Sequence, residues 1–358
     1  MTSTTTTTPA SNGVSGAVPR SKFNPTWHHR PRSEWTWRER LLDDMGILQD
    51  QSGSARPPIH KMTDPVPVCS VWNQHRFVAP WAVAPILAHF AFTRATGISL
   101  PAWAAGPLYL AWFMAYGMTL FHAFRRMTKK YGCFDGEHTR DGIPDDKTAR
   151  VSNELMAVVA VRTVFAFTVI YPNDQTNLLT WNNVLGMPLS LFAYACIIDF
   201  WFYVYHRSMH EVSWLWKFHR THHTSKHPSA AMGAYAGAEQ EIMDILGIPF
   251  LAYLTTCATP FKIDFATWWI STCYTLFIEA GGHTGIRAYF TNPTAWPLSF
   301  IGCELALEDH DLHHRKGWKS SANYGKQTRL WDSLFGTTWE RIEGHASNID
   351  WSKDIRVG

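Results

Sequence analysis

The apolar run from Leu189 to Tyr205 passes without a break into His206-Arg-Ser-Met-His210, so a helix that leaves an apolar medium ends in two imidazoles on one face. Two further boxes follow, His219-Arg-Thr-His222-His223 and His310-Asp-Leu-His313-His314, with His283 alone between them. Spacings of three and four residues align side chains on a helix, so each box aims two or three rings at one point. Nine neutral nitrogen donors exceed the three or four of a single zinc site, and imidazole suits iron as well as zinc. The pattern therefore predicts two metals. A lone histidine at a membrane boundary is more often a hydrogen-bonding group than a ligand; three boxes in order are not explained that way.

Six apolar segments, at 79–96, 102–124, 154–171, 185–205, 243–258 and 263–281, mostly approach the ~20 residues that cross a bilayer. The fifth is short and interrupted by Gly247 and Pro249, which suits a re-entrant or tilted element. Short connections, Gly97 to Pro101 and Thr259 to Phe261, read as hairpin turns. The expected fold is all-α: an integral membrane bundle of about four to six apolar helices in hairpins, capped by a cytosolic histidine-rich metal site. Three hairpins place the amino terminus, the basic cluster Arg125-Arg126-Met-Thr-Lys129-Lys130, all boxes and His283 on one side. The opposite loop, Pro172 to Val184, lacks Lys and Arg, so the histidine side is expected to face the cytosol.

The mean hydropathy of −0.17 hides these runs because polar segments dilute them. A net charge of +3 without a basic stripe gives no support to nucleic-acid binding. The six cysteines show no CxxC pair and read as small hydrophobes. Residues 1–32 are expected to be a disordered polar tail, 33–78 an amphipathic interfacial segment with a short helix near 33–48, 79–172 a membrane hairpin region, 185–340 the catalytic region and 341–358 a carboxy-terminal tail.

Acids near the boxes are candidates to orient ligands by accepting their second N–H. Glu279, one turn before His283, is the strongest, joined by Glu304, Glu308, Asp309 and Asp311. Asp199, two turns before His206, suits the same role or that of a buried partner for Arg162. Glu239 and Glu241 read as surface capping or pairing groups, and His227 as a loop histidine.

The boxes, with Tyr205-His206-Arg207, Leu215-Trp216-Lys217-Phe218-His219, Gly282-His283-Thr284-Gly285, Asn323-Tyr324-Gly325 and Trp331-Asp332-Ser-Leu-Phe335-Gly336-Thr337, resemble the fatty acid hydroxylase superfamily of sterol C4-methyl oxidases, sterol C5-desaturases and sphingolipid hydroxylases. The resemblance covers roughly residues 185–340. It implies a non-haem di-iron centre with O2 as co-substrate and ligand roles for His206, His210, His219, His222, His223, His283, His310, His313 and His314. Some relatives carry an HxxxH pair where this chain has His283 and then Arg287, so a tenth ligand of that type is missing. Glu279 and Asp199 are carried as catalytic candidates in support of the metals. No GxGxxG fingerprint is present, so two electrons must come from an external donor, by resemblance cytochrome b5 with its NAD(P)H reductase in the endoplasmic reticulum. Arg207, Lys217, Arg220, Arg315, Lys316 and Lys319 interleave with the boxes and suit an acidic partner or lipid headgroups.

The implied activity is hydroxylation or desaturation of a lipid-like molecule: a sterol, a fatty acyl chain, a sphingoid base or a hydrophobic secondary metabolite. Two other readings stand beside it. A membrane zinc-dependent hydrolase needs fewer histidines, and a non-catalytic metal-binding membrane protein calls for ligands nearer mid-membrane.

Overall fold

The structure is a computed structural model and describes residues 23, 25–45, 57–138 and 140–358. Most of the polar tail, and the end of the expected helix at 46–48, lie outside the described residues. Residues 25–32 are not the disordered segment expected: Trp27 is buried and packs edge-on against Trp35. The interfacial helix is shorter than the pattern suggested, α1 (Trp37–Asp44), capped by Thr36 and Glu39.

The long helices are α2 (Val71–Thr96), α3 (Ala102–Tyr131), α4 (Thr148–Phe165, continued by a π-turn to Ile170) and α5 (Trp181–Glu211). Val71–Thr96, Asp145–Ile170 and Trp181–Glu211 are long and apolar enough to cross a membrane. The basic cluster expected after the second segment forms the last turns of α3, where Lys129 and Lys130 complement the helix dipole. Short helices α6 (Trp216–His219) and α7 (Ala238–Ile242) follow. The fifth apolar segment becomes a π-turn and the ten-residue α8 (Ile248–Cys257), too short to span alone.

Helix α9 (Phe265–Gly282) is the hub, buried at nearly every position and packed by α2, α3 and α5. The Asn183 side chain at the start of α5 donates to Asp264, the cap of α9, at 2.6 Å, so these two helices begin together. Loops 97–101 and 171–180 meet at that same end, where Tyr171 donates to the Leu100 carbonyl. All histidine boxes therefore gather at the opposite end, where α5 and α9 finish.

That end is closed by α10 (Leu307–Lys316), α11 (Leu330–Phe335) and a small parallel pair, β1 (Val66–Val68) with β2 (Ile349–Asp354). Arg287, which occupies the position of the absent tenth ligand, is buried and pairs with Glu343 at 2.7 Å while donating to the carbonyl of Pro65. It fastens the 61–65 segment to the carboxy-terminal region.

Candidate metal centre

The nine histidines form two buried groups. His206, His210, His219, His223 and His313 bring ring nitrogens within 4.8 Å of one another, and His222, His283, His310 and His314 do the same. The groups adjoin through His223 and His314, whose rings stack at 4.9 Å.

Helix periodicity delivers part of this arrangement. α5 carries His206 and His210 on its buried face, and α10 carries His310, His313 and His314 on one face. The second box is not a continuous helix as expected: His219 ends the four-residue α6, and His222 and His223 sit on a separate 3-10 turn. The break lets His219 and His223 enter the five-ring group while His222 joins the other. Gly282 makes the close approach to α10 possible, since a Cβ there would press on the His310 ring at 3.2 Å.

The second nitrogen of most rings is held, and not by the acids the sequence suggested. His206 Nδ1 donates to the Tyr324 carbonyl, His210 Nδ1 to that of Trp318 and His313 Nδ1 to that of Ala322, each at 2.7 Å. His219 Nδ1 donates to Gln240 Oε1 at 2.7 Å, and His283 Nδ1 to the Glu279 carbonyl at 2.8 Å. A carbonyl oxygen can only accept, so these Nδ1 atoms carry the proton and each Nε2 carries a lone pair. Yet His206 and His219, both fixed in this way, place Nε2 atoms 3.0 Å apart, while His283 Nε2 stands 3.1 Å from that of His310. Burial, and after it the neighbouring rings, hold His219, His222, His223, His310, His313 and His314 well below the ordinary imidazole pKa, so protonation does not relieve this convergence. Convergent lone pairs on neutral rings are the chemistry of a cation-binding donor set.

The acids stand elsewhere. Glu279 supports His283 through its backbone; its carboxylate faces Arg162 at 3.5 Å and the Lys326 ammonium at 3.7 Å. Asp199 touches neither Arg162 nor a histidine: it accepts from the backbone N–H groups of Lys326, Gln327 and Thr328. On α10, Asp311 pairs with Arg140 at 2.7 Å, Asp309 with Arg341 at 2.8 Å, and Glu308 accepts from the backbone of residues 342–344. Glu304 pairs with Arg341. The acidic face of α10 is thus clamped by arginines while its other face presents histidines. Arg315, read as a docking residue, is engaged internally with Asp311 at 2.9 Å, whereas Lys217, Arg220, Lys316 and Lys319 are exposed.

Three contributors escaped the sequence reading. Gln240 orients His219, Arg140 holds α10, and buried Lys326 joins Glu279, His283 and His310 in lining a small pocket completed by Ile278, Gly282 and Leu305. Glu241, expected at the surface, is buried, and its carboxyl is pushed up to about 8 by burial and by Asp244. His227 lies outside both histidine groups, stacked on His138 at 4.6 Å and facing Asp135.

A membrane helical bundle ending in a buried polyhistidine centre defines the class. Residues 191–337 match the model of the fatty acid hydroxylase family. The chain is 39% identical over 337 residues to fatty acid hydroxylase vlmA of a Lecanicillium species, an alignment covering 87% of this chain and 92% of that protein. It is 28% identical to a cholesterol 25-hydroxylase-like protein of Danio rerio, over 43% of this chain and 57% of that one. With a protein named as a methylsterol monooxygenase in Dictyostelium discoideum the identity is 29%, over 43% of this chain and 53% of the relative. No solved structure matched the chain. The protein belongs to the fatty acid hydroxylase family and is an oxidoreductase of that family.

Proposed function

We propose that the chain is a membrane-bound non-haem di-iron oxygenase that hydroxylates or desaturates a C–H bond of a lipid-like substrate, with O2 and two external electrons. The observation that carries this reading is the convergence of nine imidazoles' ring nitrogens into two adjoining buried groups. His206, His210, His219, His223 and His313 would hold one iron, and His222, His283, His310 and His314 the other. Bound there, the pair would supply dioxygen reduction and the oxidising power to break an unactivated C–H bond.

The chain's own part is to orient, shield and admit. Backbone carbonyls fix the ring tautomers without adding negative charge. Ile278 and Leu305 give the small pocket beside His283 and His310 apolar walls. Asp199 serves at one remove: by gripping the backbone of 326–328 it steadies the loop whose Tyr324 carbonyl orients His206. Glu279 is a positioning residue for His283 through its carbonyl.

The basic end of α3 lies on the histidine side, which supports a cytosol-facing centre; the resemblance alone suggests the endoplasmic reticulum membrane. Exposed Lys217, Arg220, Lys316 and Lys319 near that centre suit cytochrome b5, reduced by its NAD(P)H reductase. The relatives' names, hydroxylases of fatty acids and sterols, support the lipid class. The test is expression in membranes with a reductase system, metal analysis, and lipid and sterol profiling against His222→Ala. About two irons per chain and an oxygen-dependent product lost in the variant are expected. One tightly held zinc with hydrolytic turnover would instead support a hydrolase, and unchanged profiles across a broad panel would count against lipid oxidation.

A further inference from the structure

The segment between His283 and α10 contains a short 3-10 helix, Trp296–Ile301, with the sequence Trp-Pro-Leu-Ser-Phe-Ile and no charged side chain. Six residues are too few to register as an apolar run, so the sequence pattern alone does not mark it. Its inner side is settled. Ala295, Leu298 and Cys303 form a separate buried cluster with Ala195 of α5, against which Phe192 and Cys196 also pack. Ala195 precedes His206 by eleven residues, which on a helix is roughly 16 Å toward the apolar half of α5. The segment therefore lies along α5, beside α11, whose Leu330 packs into the same cluster and whose Trp331 donates to the Cys196 carbonyl.

Its outer side is unpartnered. Phe300 is 77% exposed, Ile301 67% and Trp296 44%, and the Trp296 and Phe300 rings meet edge-to-face at 5.5 Å. Leu185 and Leu189, exposed on α5 at 77% and 59%, extend the same apolar surface toward the far end of that helix. Backbone polarity does not oppose burial in lipid, because Leu298 and Cys303 donate to the Ala295 and Leu298 carbonyls, and Pro297 has no N–H.

We propose that Trp296–Ile301 is a membrane-inserted wedge, its exposed Trp296, Phe300 and Ile301 seated among the acyl chains that surround α5. The occupant is bilayer hydrocarbon, argued from continuity with the lipid-facing side of α5 and from the absence of charge on the segment. The wedge fixes the depth of the catalytic cap relative to the bilayer and sets apolar groups of the cap where a substrate leaves the lipid.

The test places a fluorescent thiol label at Phe300→Cys in a Cys196→Ala, Cys257→Ser background, in phosphatidylcholine vesicles, and compares quenching by doxyl-labelled lipid with quenching by aqueous iodide. Leu189→Cys is the lipid-facing reference and Ser347→Cys, on the exposed carboxy-terminal region, the water-facing one. Quenching of the Phe300 label by lipid to the extent seen at Leu189, with little effect of iodide, is expected. Iodide quenching equal to that at Ser347 would overturn the proposal, and shielding from both quenchers would overturn it in favour of a protein partner or a second copy.

Discussion

The Nε2 atoms of His206 and His219 lie 3.0 Å apart although each ring has committed its one N–H elsewhere, His206 to the Tyr324 carbonyl and His219 to Gln240. Two lone pairs at hydrogen-bond distance with no proton between them repel unless a cation intervenes. The arrangement is fixed from outside the metal groups, by a loop carbonyl on one side and one amide on the other. Mutations that leave every histidine in place can therefore disable the centre.

Gln240 gives the sharpest case. Gln240→Leu removes the acceptor that fixes the His219 tautomer, and a lost partner of this kind typically costs 10–100-fold in metal affinity. Gln240→Glu keeps the acceptor for His219 but sets a carboxylate against Asp244, to which Gln240 donates at 3.2 Å, so it should hold more metal than Gln240→Leu and less than the parent. Metal content after graded chelator dialysis reads both; equal retention in Gln240→Leu and the parent protein would show that His219 needs no such partner.

His222 and His227 stand five residues apart in the chain and in different environments. His222→Ala should lower bound metal toward one ion per chain, because the four-ring group drops to three. His227→Ala should leave the metal content unchanged, since its ring stacks on His138 beside Asp135, away from both groups. Loss of metal from His227→Ala would mean that the ligand set is wrongly drawn.

The nine histidines were legible because ligand spacing is a property of side chains and a helix turns it into geometry. Their orienting partners were not, because every residue has a carbonyl and nothing in the sequence marks those of Tyr324, Trp318 or Ala322 as turned inward. The same limit explains the acids. Glu279 and Asp311 lie at helical spacing from histidines, but arginines and a lysine distant in sequence claim their carboxylates. Helix α9 was legible as an apolar segment and illegible as the buried hub, since hydropathy does not separate a lipid-facing helix from one shielded by its neighbours.

Arg140 and Asp311 form an ion pair in which both side chains are almost wholly buried, and Arg140 also donates to the carbonyls of Phe134 and Gly285. Arg140→Leu leaves the buried Asp311 carboxylate to Arg315 alone, on the helix that carries three candidate ligands. Breaking a buried pair from one side costs about 3–5 kcal/mol, a destabilisation readable as a lower thermal midpoint. Gly285→Ala should act in the same direction, because Gly285 has φ +59° and a Cβ there would overlap the Arg140 guanidinium. Arg140→Leu with Asp311→Leu should recover part of the loss; a double variant as unstable as the sum of the two single ones would show that the pair itself contributes little.

Stability of the metal-free protein should fall on acidification. His219, His222, His223, His310, His313 and His314 are held well below the ordinary imidazole value, chiefly by burial, and His227 is lowered to about 4 by the same cause. In the unfolded chain these rings regain a pKa near 6.5. Below that value and above the folded ones the unfolded state binds more protons, and the state that binds more protons gains as pH falls. Glu241, raised to about 8, works the other way and gains stability as pH falls, but its one carboxyl stands against seven imidazoles, so the thermal midpoint in detergent should decline from about pH 6.5 downward. Metal should be released over the same range, because protons and metal compete for the same nitrogens. A midpoint that held or rose between pH 7 and 5 would mean that the rings take up protons within the folded protein. The convergence of neutral donors would then be lost, and with it the case for two metals.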